Sequence, residues 1–406
     1  MKRQSKNILA CLLVGQVLNP VVQGYSPSND VKGRLIDRNM AEHEGHPIVV
    51  DGNNILIFDN PGGYPNAIPY AMGEAIIVGE STYRDRRPVD RRTAERAGDL
   101  DPIDVPFLET TDGQRLPGGL LRTGDGQVLW RNAWLPSQRL DPESISRLRI
   151  IQGAEVPVAT ESDLLTLVNG DRLEGFVDSI GPSITLEIVD GDREGEMIEV
   201  PIDRVASISL SNPVVRRSGV MAWFRGGHRI LGTSIRIDDD GYTRIEDPLL
   251  GGTEAEVPSE YLMGANLKFD QIVPWASLVW RTQEDAVGVR PWTPPIEREE
   301  GHHPLDAAPL RIKGPMTVIA EMPWSDARYR VVVERDPDSC PGRSVFVVRD
   351  GDIEVSRDVI DADRPVVVVT GRIQGDTIEF KLEDGGDGPF DDDVILREAL
   401  IIRSRG

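Results

Sequence analysis

LRIKGPMTVIAEMP (310–323), ARYRVVVERD (327–336), SVFVVRDG (344–351), RPVVVVTG (364–371), DTIEFKLEDGGDG (376–388) and DDDVILREALIIR (391–403) follow one another through the carboxyl-terminal quarter of the chain. Each run is short, rich in Val, Ile, Phe and Tyr, partly alternating, and bounded by Gly, Pro or Asp. That pattern predicts antiparallel strands joined by turns, with no apolar period of helical length. The expectation is one β-sandwich over residues 304–406.

A repeat organises the chain before it. Asn169-Gly170-Asp171-Arg172-Leu173-Glu174-Gly175 aligns with Gly226-Gly227-His228-Arg229-Ile230-Leu231-Gly232 and with Asp112-Gly113-Gln114-Arg115-Leu116-Pro117-Gly118, and the final glycines stand 57 residues apart. Val200-Pro201-Ile202 and Val257-Pro258-Ser259 keep the same spacing, whereas Leu140-Asp141-Pro142 falls slightly out of step. A fixed period of this size marks a repeated structural unit. Short alternating runs separated by turn residues predict a small bent β-meander or SH3-like barrel in each of 105–151, 160–211 and 217–270. So small a unit buries a low fraction of its surface, so the copies are expected to pack on one another. The fold class is therefore all-β, tandem small barrels followed by a sandwich.

Residues 25–104 are expected to be partly ordered, with one hairpin from 47 to 58 turning at Asp51-Gly52-Asn53. Residues 271–303, with Pro291, Pro294, Pro295 and an acidic run, are expected to be a linker. Trp275, Trp280 and Trp292 would pack the sandwich against the repeats. At the amino end a basic Met1–Lys6 segment, an apolar Ile8–Leu18 stretch and the small residues before Tyr25 predict a signal peptide over 1–24 and a secreted, periplasmic or envelope location. That apolar stretch is too short to span a bilayer, so no transmembrane anchor is expected after its removal. A lipoprotein reading around Cys11 is the weaker alternative. The mature chain would then carry Cys340 alone, in a turn with no net positive field, and no internal disulfide.

Charge narrows the partners. With 45 basic and 67 acidic residues the formal charge is −22, which disfavours nucleic acid and anionic lipid. Catalytic signatures are missing too: His43-Glu44-Gly45-His46 is one residue short of the spacing that sets two imidazoles on one helical face, and Gly79-Glu80-Ser81-Thr82-Tyr83 lacks the second glycine of a nucleophile elbow. The sequence gives no reason to pair any two of its carboxylates across a cleft as a glycosidase requires, so no enzyme is expected.

Laid out by strand, the last quarter resembles the NPCBM carbohydrate-binding-module family, whose members have a galactose-binding-like jelly-roll sandwich. Gly314-Pro315, the Ala327–Tyr329 strand opening, the Val-rich strands around Gly351, the closing LEDGGDG with its Asp cluster, and Ala399 carry the likeness. Leu396 departs from it, because the family carries Trp in that last strand. The repeats resemble, more loosely, β modules of secreted bacterial proteins. What the likeness implies is a non-catalytic protein that binds a glycan or polysaccharide. A sugar site wants an aromatic platform and a few polar groups; Trp324, in a connection before a strand, is the candidate platform, with Arg328, Tyr329 and His303 as polar contributors. Asp384, Asp387, Asp391 and Asp392, turn carboxylates separated by glycines, suit a hard cation, and the likeness implies a structural Ca²⁺. The rival expectation is a structural cell-envelope protein whose units make contacts with envelope proteins only.

Overall fold

A computed structural model describes residues 33–45, 48–50, 54–58, 65–78, 105–121, 127–159, 161–189, 194–238, 241–246, 248, 254–283, 296–299, 301–337, 342–386 and 392–404. These residues form an all-β protein of antiparallel strands punctuated by single 3-10 turns. The expected signal peptide, Cys340, His46, Trp292, Asp387 and Asp391 lie outside the described residues.

Four segments share one strand order. In the third, Asp163–Leu167 turns into the long bent strand Arg172–Ile180, which pairs with Ser183–Ile188, then Met197–Pro201, and a 3-10 turn at Ile202–Arg204 returns the chain as Val205–Ser209 beside the first strand. The fourth repeats it with Val220–Phe224, His228–Gly232 continued by Ser234–Ile237, Tyr242–Glu246, Glu254–Pro258, Ser259–Tyr261 and Leu262–Asn266. The second runs from Phe107–Thr110 through Arg115–Leu121, Val128–Asn132 and Gln138–Leu140 to Ile145–Arg149. The even spacing of 57 conceals one transfer. The hairpin after Ile180 is two residues shorter than that after Ile237, and the next connection is longer by the same amount, since Glu187 faces Met197 whereas Glu246 faces Glu254.

The segment expected to hold one hairpin holds a further copy of this order. Ile48–Val50 and Asn54–Phe58 do pair, and around them stand Gly33–Asp37, Glu42–Gly45, Pro65–Pro69, a 3-10 turn at Tyr70–Met72, and Gly73–Val78 closing on the first strand. The first turn is built alike in three units: Asp37 N bonds Ala41 O and Met40 N bonds Asp37 O, as Thr110 with Gln114 and Gly113 with Thr110, and as Leu167 with Asp171 and Gly170 with Leu167. Asn39 to Gly45 thus matches Asn169 to Gly175.

The units join through equivalent strands. The closing strands of the second and third pair antiparallel about Leu148↔Ile208, and those of the first and fourth about Ile76↔Ala265, each centred on the fourth residue of its strand. Arg115↔Arg229, equivalent positions in the bent strands, links the two pairs. One apolar core runs through all four units.

The sandwich is two facing sheets. One orders Ile296–Arg298, Leu310–Ile312, Val394–Arg403, Ala327–Arg335 and Val366–Ile373; the other orders Trp280–Gln283, Met316–Glu321, Thr377–Asp384, Ser344–Asp350 and Ile353–Ile360. Period-2 alternation explains it: Ala327, Tyr329, Val331 and Val333 point inward and are fully buried. The linker expectation over 271–303 needs correction. Ile272–Pro274 pairs with the last strand, Trp280–Gln283 extends the second sheet, and Ile296–Arg298 edges the first. Trp275 is buried in the sandwich core, stacked on Phe380 at 5.4 Å, with Trp280 edge-on to that ring at 5.0 Å; both tryptophans serve the sandwich itself. A separate apolar cluster, including Ile36, Ile77, Met221, Trp223, Leu305, Leu400 and Ile402, seats the sandwich on the first and fourth units.

Candidate functional site

Three connections meet at one end of the sandwich. The 322–326 loop crosses from one sheet to the other, tied by Met322 N to Asp376 O at 2.8 Å and by Ser404 N to Asp326 O at 3.1 Å. Asp350 anchors the neighbouring turn, accepting from Gln374 N at 2.7 Å and Gly375 N at 3.0 Å. Trp324 is half-buried there, packed with Met322 against the core. Two residues on, Arg372 donates Nε to Asp326 Oδ1 at 2.8 Å and Nη2 to Oδ2 at 2.7 Å. Those hydrogen bonds hold the Asp326 carboxyl below its usual range, so the pair stays ionised and solvent-facing. One connection thus carries an indole and, two residues on, a carboxylate–guanidinium pair, the kinds of group a sugar face and its hydroxyls require.

The other residues expected at a sugar site do not converge here. Tyr329 occupies an inward position, fully buried, its hydroxyl 3.1 Å from Ser356 Oγ, and burial pushes it up to about 12; strand alternation put it in the core. Arg328, on the opposite face of that strand, donates to Arg38 O at 2.8 Å and Asn39 Oδ1 at 3.3 Å of the first unit, so it serves the seat of the sandwich. His303 stands in the 301–306 segment against the units, its Nε2 buried. Leu396 is buried in the core opposite Leu310 and Val333. Of the expected cation ligands, exposed Asp384 accepts from Gly386 N at 2.7 Å and buried Asp392 from Ser344 Oγ at 3.1 Å. Ser344 also stands opposite Asp384 in the ladder, which brings the two carboxylates to one strand end. Among the described residues no group of three or more His, Cys, Asp or Glu is placed to hold a metal ion.

A second concentration of chemistry gave no clear signal in the sequence. Where the sandwich meets the second and fourth units, Arg229, its side chain 16% exposed, donates to Asp306 Oδ2 at 2.8 Å and Glu109 Oε1 at 2.9 Å, while Glu109 also takes Arg147 at 2.5 Å. Trp223 Nε1 donates to Asp306 Oδ1 at 3.2 Å. Burial alone would lower Arg229 and raise Asp306, but their mutual attraction, joined by Glu109 on the arginine and by His302 and Trp223 on the carboxylate, outweighs it, and the pair is held charged. Burial pushes Arg115 down to about 10 against the pull of Glu109. His228 lies 3.9 Å from the Trp134 ring, with Phe224 and Tyr261 on the same indole at 5.5 and 5.7 Å. Burial pushes His228 down to about 3 and, with help from Arg229, does the same to His302.

No protein-family model matches the chain, and no curated protein matches it. Solved structures similar to it include carbohydrate-binding modules. CBM51 from Clostridium perfringens GH95, in complex with methyl-galactose, is 14% identical, with a TM-score of 0.24, covering 32% of this chain and 99% of that one. CBM51-2 with INT domains of Clostridium perfringens ZmpB, in complex with GlcNAc, is 11% identical, with a TM-score of 0.28, over 46% of this chain and 38% of that one. The CBM22-1 xylan-binding domain of a Paenibacillus barcinonensis protein is 17% identical, with a TM-score of 0.21, over 31% and 86%. Among the described residues no helix is long and apolar enough to cross a membrane.

Proposed function

We propose that this is a secreted, non-catalytic glycan-recognition protein whose sandwich presents Trp324 to a polysaccharide. The observation that carries the reading is half-buried Trp324 in the same 322–326 connection as Asp326, whose ion pair with Arg372 faces solvent. The resemblance of the strand-forming runs to carbohydrate-binding modules supports it, and the amino-terminal pattern over 1–24 supports an extracytoplasmic location. A structural Ca²⁺ belongs to the same proposal, held by the acidic strand end at Asp384 and Asp392 together with Asp387 and Asp391, which lie between them in the sequence.

The purified protein on a glycan array should retain at least one glycan, with a dissociation constant on the order of 10⁻³ to 10⁻⁵ M and no release of reducing sugar. Trp324→Ala should weaken that binding about tenfold or more, a loss of about 1.4 kcal/mol, measured at a temperature where the variant's own thermal melt shows it folded. Silence across a broad array would move the reading to a structural envelope protein; sugar release would reveal an enzyme. Calcium should raise the melting temperature as RT ln(1 + [L]/Kd) and chelator should reverse it; an unchanged melt removes the ion.

A further inference from the structure

The outward face of the third unit differs from the same face of the fourth in a way that bears on a partner. Cross-strand rows on the two faces correspond. In the fourth unit one row is Ser234, Glu246 and Glu254, and the next is Arg236, Arg244 and Glu256. Arg236 donates to Asp238 at 3.0 Å and Glu254 at 3.3 Å, and Arg244 donates to Glu256 at 2.9 Å and also to Asp238. Each of the four carboxylates on that face, Asp238, Glu246, Glu254 and Glu256, is thus ion-paired with one of the two arginines.

In the third unit the matching rows are Phe176, Glu187 and Met197, then Ser179, Thr185 and Glu199. Ser179 donates to Thr185 at 3.0 Å where the two arginines stand in the sibling. Glu187 and Glu199 remain exposed, with Glu174 and Asp178 beside them, and none of these two rows carries a cation. Phe176 and Met197, 49% and 50% exposed, flank Glu187. Met197–Pro201 also ends the sheet, paired on one side only. Scattered single apolar side chains on a surface need no explanation, but here two large ones sit in one row, framed by carboxylates whose counter-charges the sibling supplies from within.

We propose that this face docks an extended segment of another protein that bears lysine or arginine alternating with aliphatic residues. The aliphatic groups cover Phe176 and Met197, and the cations take the places that Arg236 and Arg244 hold in the fourth unit. An apolar centre with a charged rim gives such contact area at its middle and steering and register at its edge.

The test uses the full chain and an alternating lysine–leucine decapeptide as probe, with a glutamate–leucine decapeptide beside it. The lysine peptide should bind at low salt and weaken as salt rises, and the glutamate peptide should not bind. The double variant Ser179→Arg, Thr185→Arg rebuilds the sibling's internally paired face, so it should fold with an unchanged melting temperature and lose binding by about tenfold or more. Phe176→Ser should lose affinity by a similar factor with the charges intact, and it keeps the test decisive should the double variant fold poorly. Equal binding of the lysine peptide to wild type and Phe176→Ser would place the contact elsewhere on the acidic surface and overturn the proposal. So would equal binding of both peptides, or no binding of the lysine peptide at low salt.

Discussion

Arg330 lies on the outward side of a strand whose inward side is core, yet only 1% of its side chain is exposed, because the first unit covers it. Its guanidinium is shared between Glu42 of that unit and Glu398 of the sandwich, the latter at 3.1 Å, and Arg34 donates to the same Glu398 carboxylate at 3.0 Å. A cation so placed is tolerated only while its partners remain. Glu398 reaches it from a backbone φ of 47°, at the point where the register between the last strand and Ala327–Arg335 shifts. Left-handed backbone at a residue with a Cβ costs about 1–2 kcal/mol, which the ion pairs offset. Glu398→Ala should therefore destabilise the protein by about 3 kcal/mol, at the low end for a broken buried pair because Glu42 stays. Glu398→Gly should cost about 1 kcal/mol less than the alanine, since the backbone strain is relieved. Urea midpoints measure both, and equal values for the two variants would show that φ strain plays no part.

At the scale of the strand, the final glycine of each repeat motif has a steric cause. A Cβ on Gly118 would lie 2.0 Å from Arg131 O, one on Gly175 would lie 2.1 Å from Glu187 O, and one on Gly232 would meet Ile245 at 2.3 Å and Glu246 O at 2.7 Å. The bent strand crosses its neighbour too closely there for any side chain. Gly175→Ala should thus cost about 1–3 kcal/mol by overpacking, whereas Gly170→Asn, at a φ of 88° with open space around it, should be nearly neutral because Asn tolerates that conformation. Thermal melts distinguish the two, and a harmless Gly175→Ala would refute the close crossing. Those glycines are also why three units were legible in the sequence. The first unit keeps that last glycine as Gly45 but was not legible, because Met40, at a φ of 65°, stands where the others have the earlier turn glycine, and Glu42-His43 replaces the Arg-Leu pair. The sandwich was legible from its alternating Val and Ile runs. Its true beginning was not: the strands at Ile272–Pro274 and Trp280–Gln283 are short and precede a proline-rich stretch that reads as a linker. The place of Trp324 in a connection between strands was legible, but Tyr329 was misplaced, since alternation within one strand fixes which residues share a face and not which face is covered.

At the scale of the whole molecule, the junction of the sandwich with the second and fourth units makes stability depend on pH. His228 is faced by Trp134, the Arg225 backbone, His302 and Arg115; His302 is faced by Arg229, Asp306, Arg115 and His303. Burial first, then His302 and Arg115 on His228 and Arg229 and Arg115 on His302, push both imidazoles down to about 3 from an ordinary value of 6.5. Between those values the unfolded chain binds a proton at each histidine and the folded protein does not. Stability from these groups is therefore fully present above about pH 6.5 and is lost as pH falls toward 3, at about 1.4 kcal/mol per pH unit for each histidine in that window. Asp306, held below its ordinary range by Arg229 despite its burial, adds a loss of the same sign at the acid end of the range. The melting temperature should accordingly fall steeply from pH 6.5 to pH 4 and stay nearly flat from pH 7 to pH 8. His228→Phe keeps a ring against Trp134 while removing one titrating group, so its slope between pH 6 and pH 5 should be shallower than that of the wild type by about 1.4 kcal/mol per pH unit, the share of one histidine. An unchanged slope in that variant would mean that His228 takes its proton in the folded protein, and that the three bodies meet less tightly around it than the packing of Trp134, His228 and Arg229 requires.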